Sequence, residues 1–151
     1  MKRLLLLLSA AVLGLFIAGC NSSMEPSGIS VAVDCIGAGA DGADATLTLR
    51  YTNESVYALG VSKSSHRLYL NGTAVARIDD APAVGIPPMK FTAQPVGIHF
   101  ENAGFVRQLA ASGAPVRYRL ESTLFETVGE EDYKVKLHAD GSLDLSPLAA
   151  R

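Results

Sequence analysis

Apolar and polar residues alternate with period two along much of this chain, and that pattern constrains the fold more than any other feature. In "ATLTLRYTNES" (residues 45–55), Leu47, Leu49 and Tyr51 alternate with Thr46, Thr48, Arg50 and Thr52. Successive side chains of a strand point to opposite faces, so this spacing predicts a half-buried strand. "ISVAVDC" (29–35) sets Ile29, Val31 and Val33 against Ser30, Ala32 and Asp34, and Cys35 falls in phase with the apolar set. The period therefore places Cys35 inside as a small core hydrophobe. "PVRYRLESTLF" (115–125) turns Val116, Tyr118 and Leu120 away from Arg117, Arg119 and Glu121, a strand with a charged outer face.

Turn signals separate these runs. In "HRLYLNGTAVARI" (66–78), Asn71-Gly72 sits between alternating arms. Both central residues of a type I′ turn need positive φ, which Asn-Gly supplies most easily, so a two-residue hairpin is predicted. Its register would set Leu70 opposite Thr73 and Leu68 opposite Val75, on one face. Pro87, Pro88 and Pro95 in "IPPMKFTAQPVGIHF" (86–100) predict an edge or interrupted strand, because proline cannot donate to a ladder. At the C-terminal end, "YKVKLHADGSLDLSP" (133–147) fits a hairpin with a three-residue loop, Ala139-Asp140-Gly141, and Gly141 left-handed. That register pairs Leu137 with Leu143, Val135 with Leu145 and Lys136 with Asp144.

One helix is expected in "ENAGFVRQLAASG" (101–113). Phe105 and Leu109 are spaced four apart, as are Val106 and Ala110, and Gly113 stands where a C-terminal cap belongs. Six or seven short strands with one helix predict an all-β fold, an antiparallel β-sandwich.

The N-terminus follows different rules. Lys2 and Arg3 precede residues 4–17, which carry no charge and only Ser9 as a polar side chain. A basic segment, an apolar core of about 7 to 15 residues and a small-residue cleavage site make a secretory signal. The polar Cys20-Asn21-Ser22-Ser23 cuts this run below the roughly 20 apolar residues of a membrane span. Ile17-Ala18-Gly19-Cys20 resembles a bacterial lipobox, in which the chain is cut before a cysteine that carries lipid. The expected organisation is a cleaved lipoprotein signal peptide (1–19), a lipidated N-terminus and tether (20–28), one β-sandwich domain (29–147) and a short tail (148–151). Two or three acyl chains on Cys20 would hold the protein to a membrane effectively permanently. Asn21 stands where an Asp would resemble an inner-membrane retention signal. The expected place is therefore the periplasmic face of the outer membrane of a Gram-negative bacterium.

Loss of Lys2 and Arg3 leaves eleven basic residues against fifteen acidic ones, a net charge of about −4. With no run of Lys or Arg, this balance argues against nucleic acid as a partner. Once Cys20 is lipidated, Cys35 is the remaining cysteine, so no internal disulfide can form.

The order of elements resembles a known family. A strand ending in Asn53, the segment "LYLNGTAVA", an Ile-Pro step at Ile86-Pro87, a further strand, a short helix and "VRYRLEST" look like the late embryogenesis abundant (LEA) type 2 proteins. Their domain is named for water stress and hypersensitive response. The resemblance spans roughly residues 29–147, and departs where members often carry Asn-Pro and this chain has Asn53-Glu54. It implies an immunoglobulin-like or fibronectin III-like sandwich, found in bacteria often as a lipoprotein and linked to desiccation or other stress. It supplies no catalytic residues.

The residues themselves also point away from catalysis and cofactors. His66, His99 and His138 lie in separate segments without ligand spacing, and no Cys-x-x-Cys or His-x-x-x-His accompanies them. Asp41 and Asp44 lack a calcium-loop pattern around them. No Gly-x-Ser-x-Gly elbow or phosphate-cradling loop is present. Glu130, Glu131 and Asp132 read as a solvated charge cluster, and the sequons at Asn21, Asn53 and Asn71 as chance matches. No catalytic, cofactor or metal residue is therefore expected, and lipidation of Cys20 is the one modification. Two functions remain: stress protection by a stable, hydrated sandwich at the membrane, or a module that binds an unidentified envelope protein through an edge strand or loop end. Exposed apolar residues on the strand next to Pro87-Pro88 would favour the binding module; a uniformly polar exterior would favour protection.

Overall fold

The computed structural model describes residues 28–39, 43–128 and 131–149. The signal segment, Cys20, Asn21, Asp41 and Glu130 lie outside the described residues. Among the described residues, eight strands and one α-helix form an antiparallel sandwich. The strands are β1 (Ile29–Ala38), β2 (Ala45–Asn53), β3 (Leu59–Leu70), β4 (Thr73–Ala81), β5 (Val84–Ile86), β6 (Phe91–Ile98), β7 (Val116–Val128) and β8 (Glu131–Leu143). The helix is α1 (Ala103–Ala111), between β6 and β7. One sheet has the order β1-β2-β6; the other runs β4-β3-β7-β8, with β5 pairing the start of β3.

The alternating residues fill the space between the sheets. Leu47, Leu49 and Tyr51 of β2 are fully buried, as are Leu68 and Leu70 of β3 and Leu120 and Leu124 of β7. Each such side chain contributes roughly 1.5 to 3 kcal/mol when taken from water. The proline-rich segment behaves as read: β6 is an edge strand, and Pro95, opposite Thr48, needs no outward partner for a missing N–H. The helix also forms where expected. Asn102 caps it by accepting from the Phe105 N–H at 3.1 Å, Val106 and Ala110 are buried, and Gly113 ends it at φ 64°.

Three local expectations need correction. Cys35 is exposed. A β-bulge moves the register from Val33↔Leu49 to Cys35↔Thr48, so Asp34 and Cys35 both face out and Ile36 takes the buried place. In the Asn71-Gly72 hairpin, φ values of 47° and 82° fit the type I′ turn and Leu70 does pair with Thr73. A second bulge then sets Leu68 opposite Ala76 rather than Val75, and both Val75 and Ala76 are buried.

The largest correction is at the C-terminus. Residues 139–141 make no turn: β8 runs unbroken and pairs with β7 from Val116↔Leu143 to Val128↔Glu131. Gly141 lies opposite Tyr118, where a Cβ would stand 2.6 Å from Tyr118 Cε1. The glycine makes room for a ring, and the phenol it admits reaches the other sheet. Tyr118 Oη lies 3.3 Å from the Val33 N–H and 3.4 Å from the Val33 carbonyl.

Candidate functional site

The most chemical-looking group is buried. His66 Nδ1 lies 2.8 Å from Ser122 Oγ, and its Nε2 lies 3.0 Å from both Ser64 Oγ and the Tyr51 hydroxyl. Ser64, His66 and Ser122 belong to the larger sheet, and Tyr51 crosses from the smaller one. Every member is buried, and burial pulls the His66 pKa down to about 4. A neutral imidazole can donate from one nitrogen and accept at the other, so hydroxyls satisfy the ring. This arrangement ties the two sheets together. The other histidines stand elsewhere. His99 lies 3.8 Å from Asp44, whose other role is to accept from the Phe100 N–H, while His138 is exposed on β8 opposite Glu121. Among the described residues, no group of three or more His, Cys, Asp or Glu could hold a metal ion.

An open groove of about 600 Å³ crosses the outer face of the larger sheet, lined by Arg67, Arg77, Asp79, Arg119, Glu121 and Lys136 among others. Its charges are mixed and partly paired, Arg77 with Asp79 at 2.9 Å and Arg119 with Asp140 at 3.0 Å. Exposed ion pairs of this kind contribute little.

The distinctive surface is one end of the sandwich. Val56 and Tyr57 on the β2–β3 loop are 71% and 75% exposed, and Met89 and Phe91 beside Pro87-Pro88 are 67% and 59% exposed. These are the large apolar side chains left to solvent among the described residues. Asn53, 1% exposed, builds this end. Its Nδ2 lies 2.7 Å from the Tyr57 carbonyl and 3.2 Å from those of Ile86 and Pro87, and its Oδ1 accepts from the Ser55 N–H at 2.8 Å. Met89 N–H donates to the Ser55 carbonyl at 3.0 Å, and the Asn53 N–H to the Lys90 carbonyl at 2.8 Å. Val56, Tyr57 and Met89 thus ride on loops locked to one buried amide, and Phe91 opens β6 beside them. Met89 holds a positive φ of 54°, a conformation that a side chain of its kind rarely adopts. Backbone strain joins apolar exposure at one residue.

The chain also enters the domain here. The Gly28 carbonyl accepts from the Glu54 N–H at 2.7 Å, and Gly28 packs on Ser55. A proline at position 54, as in the family pattern, has no N–H to make this bond. In the sequence, Asn53 is legible as the end of a strand and the Pro87-Pro88 neighbourhood as a place where exposed apolar residues matter. Nothing local signals that Tyr57 and Met89 meet through Asn53, since the two loops lie far apart in sequence.

A solution structure of an Arabidopsis thaliana protein is similar at a TM-score of 0.51, with 12% identity over 76% of this chain and 80% of that one. The likeness is one of fold. A solution structure of a protein described as late embryogenesis abundant matches at a TM-score of 0.46 and 14% identity, covering 89% of this chain and 83% of that one. A crystal structure from Archaeoglobus fulgidus matches at 0.43 and 18%, covering 76% and 92%. No family model matches the chain, and no curated protein matches it by sequence.

Proposed function

We propose that this chain is a lipid-anchored protein of the bacterial envelope whose LEA type 2-like sandwich works without catalysis, by contact through its apolar loop end, in protection against water stress. The observation that carries this reading is the cluster of Val56, Tyr57, Met89 and Phe91 at the end where the chain arrives from Cys20. A soluble domain gains nothing in stability from four large apolar side chains held in water, so such a cluster marks an interaction surface. The anchor and the outer-membrane location rest on the lipobox-like Ile17-Ala18-Gly19-Cys20 and on Asn21 after it. The stress setting rests on the resemblance of residues 29–147 to the family, with which an antiparallel sandwich agrees.

Labelled palmitate tests the anchor. The wild-type chain should incorporate it and Cys20→Ala should not; equal labelling would remove the anchor from the account. Survival of a deletion strain after drying tests the setting, with loss expected and full survival contrary to it. A second reading, a module that binds an envelope protein, is the one that exposed apolar residues next to Pro87-Pro88 favour directly, and it draws on the same cluster. Cross-links from Met89 or Phe91 to one protein in intact cells would favour it.

A further inference from the structure

We infer that the apolar loop end is a membrane-docking face: Val56, Tyr57, Met89 and Phe91 enter the headgroup region of the bilayer to which the chain is tethered, so the sandwich stands on its loops. The inference deepens the proposed function and rests on its lipid-anchor reading. Where the chain enters supplies the occupant. From Cys20 to Gly28 the backbone reaches at most about 29 Å when extended. It arrives by the Glu54 N–H bond to Gly28, on the very loop that carries Val56 and Tyr57. The Asn71-Gly72 tip lies at the other end of β3, twelve residues or roughly 40 Å away. The bilayer that holds the lipid is therefore nearest the one end with an apolar surface.

The chemistry of the patch fits that occupant. Aromatic and aliphatic side chains on a rigid, polar-backed end suit the boundary between headgroups and acyl chains, where apolar area sets the strength of binding. Local charge is balanced. Lys90 stands between Met89 and Phe91, and Arg50 lies 4.9 Å from the Phe91 ring centroid while paired with Asp34; Glu54 is the acid of the neighbouring loop. Docking should then depend little on salt or on anionic lipid, unlike attachment through a basic patch. The locked loops mean that the face is already formed, so binding need not order it.

The chain contains no tryptophan, which makes a single indole an unambiguous probe. Full-length lipidated chain carrying Tyr57→Trp, and separately Thr73→Trp at the exposed hairpin, would be placed in vesicles of phosphatidylethanolamine and phosphatidylglycerol. The Tyr57→Trp indole should emit further to the blue and lose at least half its intensity to brominated acyl chains, in low and high salt alike. The Thr73→Trp indole should do neither. A chain that floats with the vesicles while the Tyr57→Trp indole stays fully wet overturns the docking and leaves the anchor standing. A chain that does not float overturns both, since nothing then holds a bilayer within reach. A blue shift that needs added envelope protein, or that follows chain concentration in detergent without vesicles, overturns the membrane in favour of a protein partner or a second copy.

Discussion

Asn53 and His66 show two uses of a buried polar side chain. Asn53 joins loops, whereas His66 joins sheets, and the second makes stability depend on pH. The folded His66 pKa near 4 lies below the ordinary 6.5 because burial penalises the charged ring. Between those values the unfolded chain binds the proton and the folded chain does not, so stability is full above about pH 6.5 and falls as pH drops toward 4. The loss by pH 4 is at most about 3 kcal/mol. Thermal unfolding at pH 7 and pH 4.5 should show it, and His66→Gln, which keeps a donor and an acceptor but does not titrate, should flatten that part of the pH dependence. Equal pH profiles for the two proteins would exclude His66 as the source. At Cys35 the expectation is rapid maleimide labelling of the native protein at a rate close to that in denaturant; protection in the native state would contradict the bulge. The period of two that correctly places Leu47, Leu49 and Tyr51 carries no sign of that bulge. Bulges insert one residue into a ladder, and the inserted residue is legible only from the partner strand.

At the scale of elements, the two hairpin-like glycines act by different physics. Gly72 holds φ 82° with nothing within 4 Å of a would-be Cβ, so its demand is purely conformational. Gly141 is not left-handed, and its demand is space for the Tyr118 ring. Asparagine separates them, since it tolerates the left-handed region but cannot vacate volume. Gly72→Asn should cost little, well under 1 kcal/mol, while Gly141→Asn and Gly141→Ala should each cost about 1 to 3 kcal/mol by overpacking. Chemical denaturation of the four proteins reads this directly, and a tolerant Gly141 would mean that Tyr118 moves freely. The Asn71-Gly72 turn was legible because its signal is local. The Asp140-Gly141 step imitates such a signal, and what overrides it is Tyr118, 23 positions earlier on β7 and directly opposite in the sheet. Helix α1 was legible for the same reason as the first hairpin: its cap residues and its spacing of four lie within one short segment.

For the whole molecule, the sandwich followed from alternation, but its useful end did not. Val56 and Tyr57 look in sequence like ordinary loop residues after a strand, and Met89 like one more apolar residue of a proline-rich edge. Only the Asn53 bonds and the Gly28 contact with Glu54 put them on one face, beside Gly28. Because all four side chains are more than half exposed, removing them should leave the core intact. Replacing Val56, Tyr57, Met89 and Phe91 together by serine should keep the unfolding free energy within about 0.5 kcal/mol per site of wild type. The most direct test of a contact function through this end is survival of a deletion strain after drying, restored either by the wild-type chain or by the four-serine chain at equal abundance and equal palmitate labelling. Recovery is expected with the wild type and survival no better than the deletion with the four-serine chain; full recovery with the four-serine chain would contradict a contact function through this end.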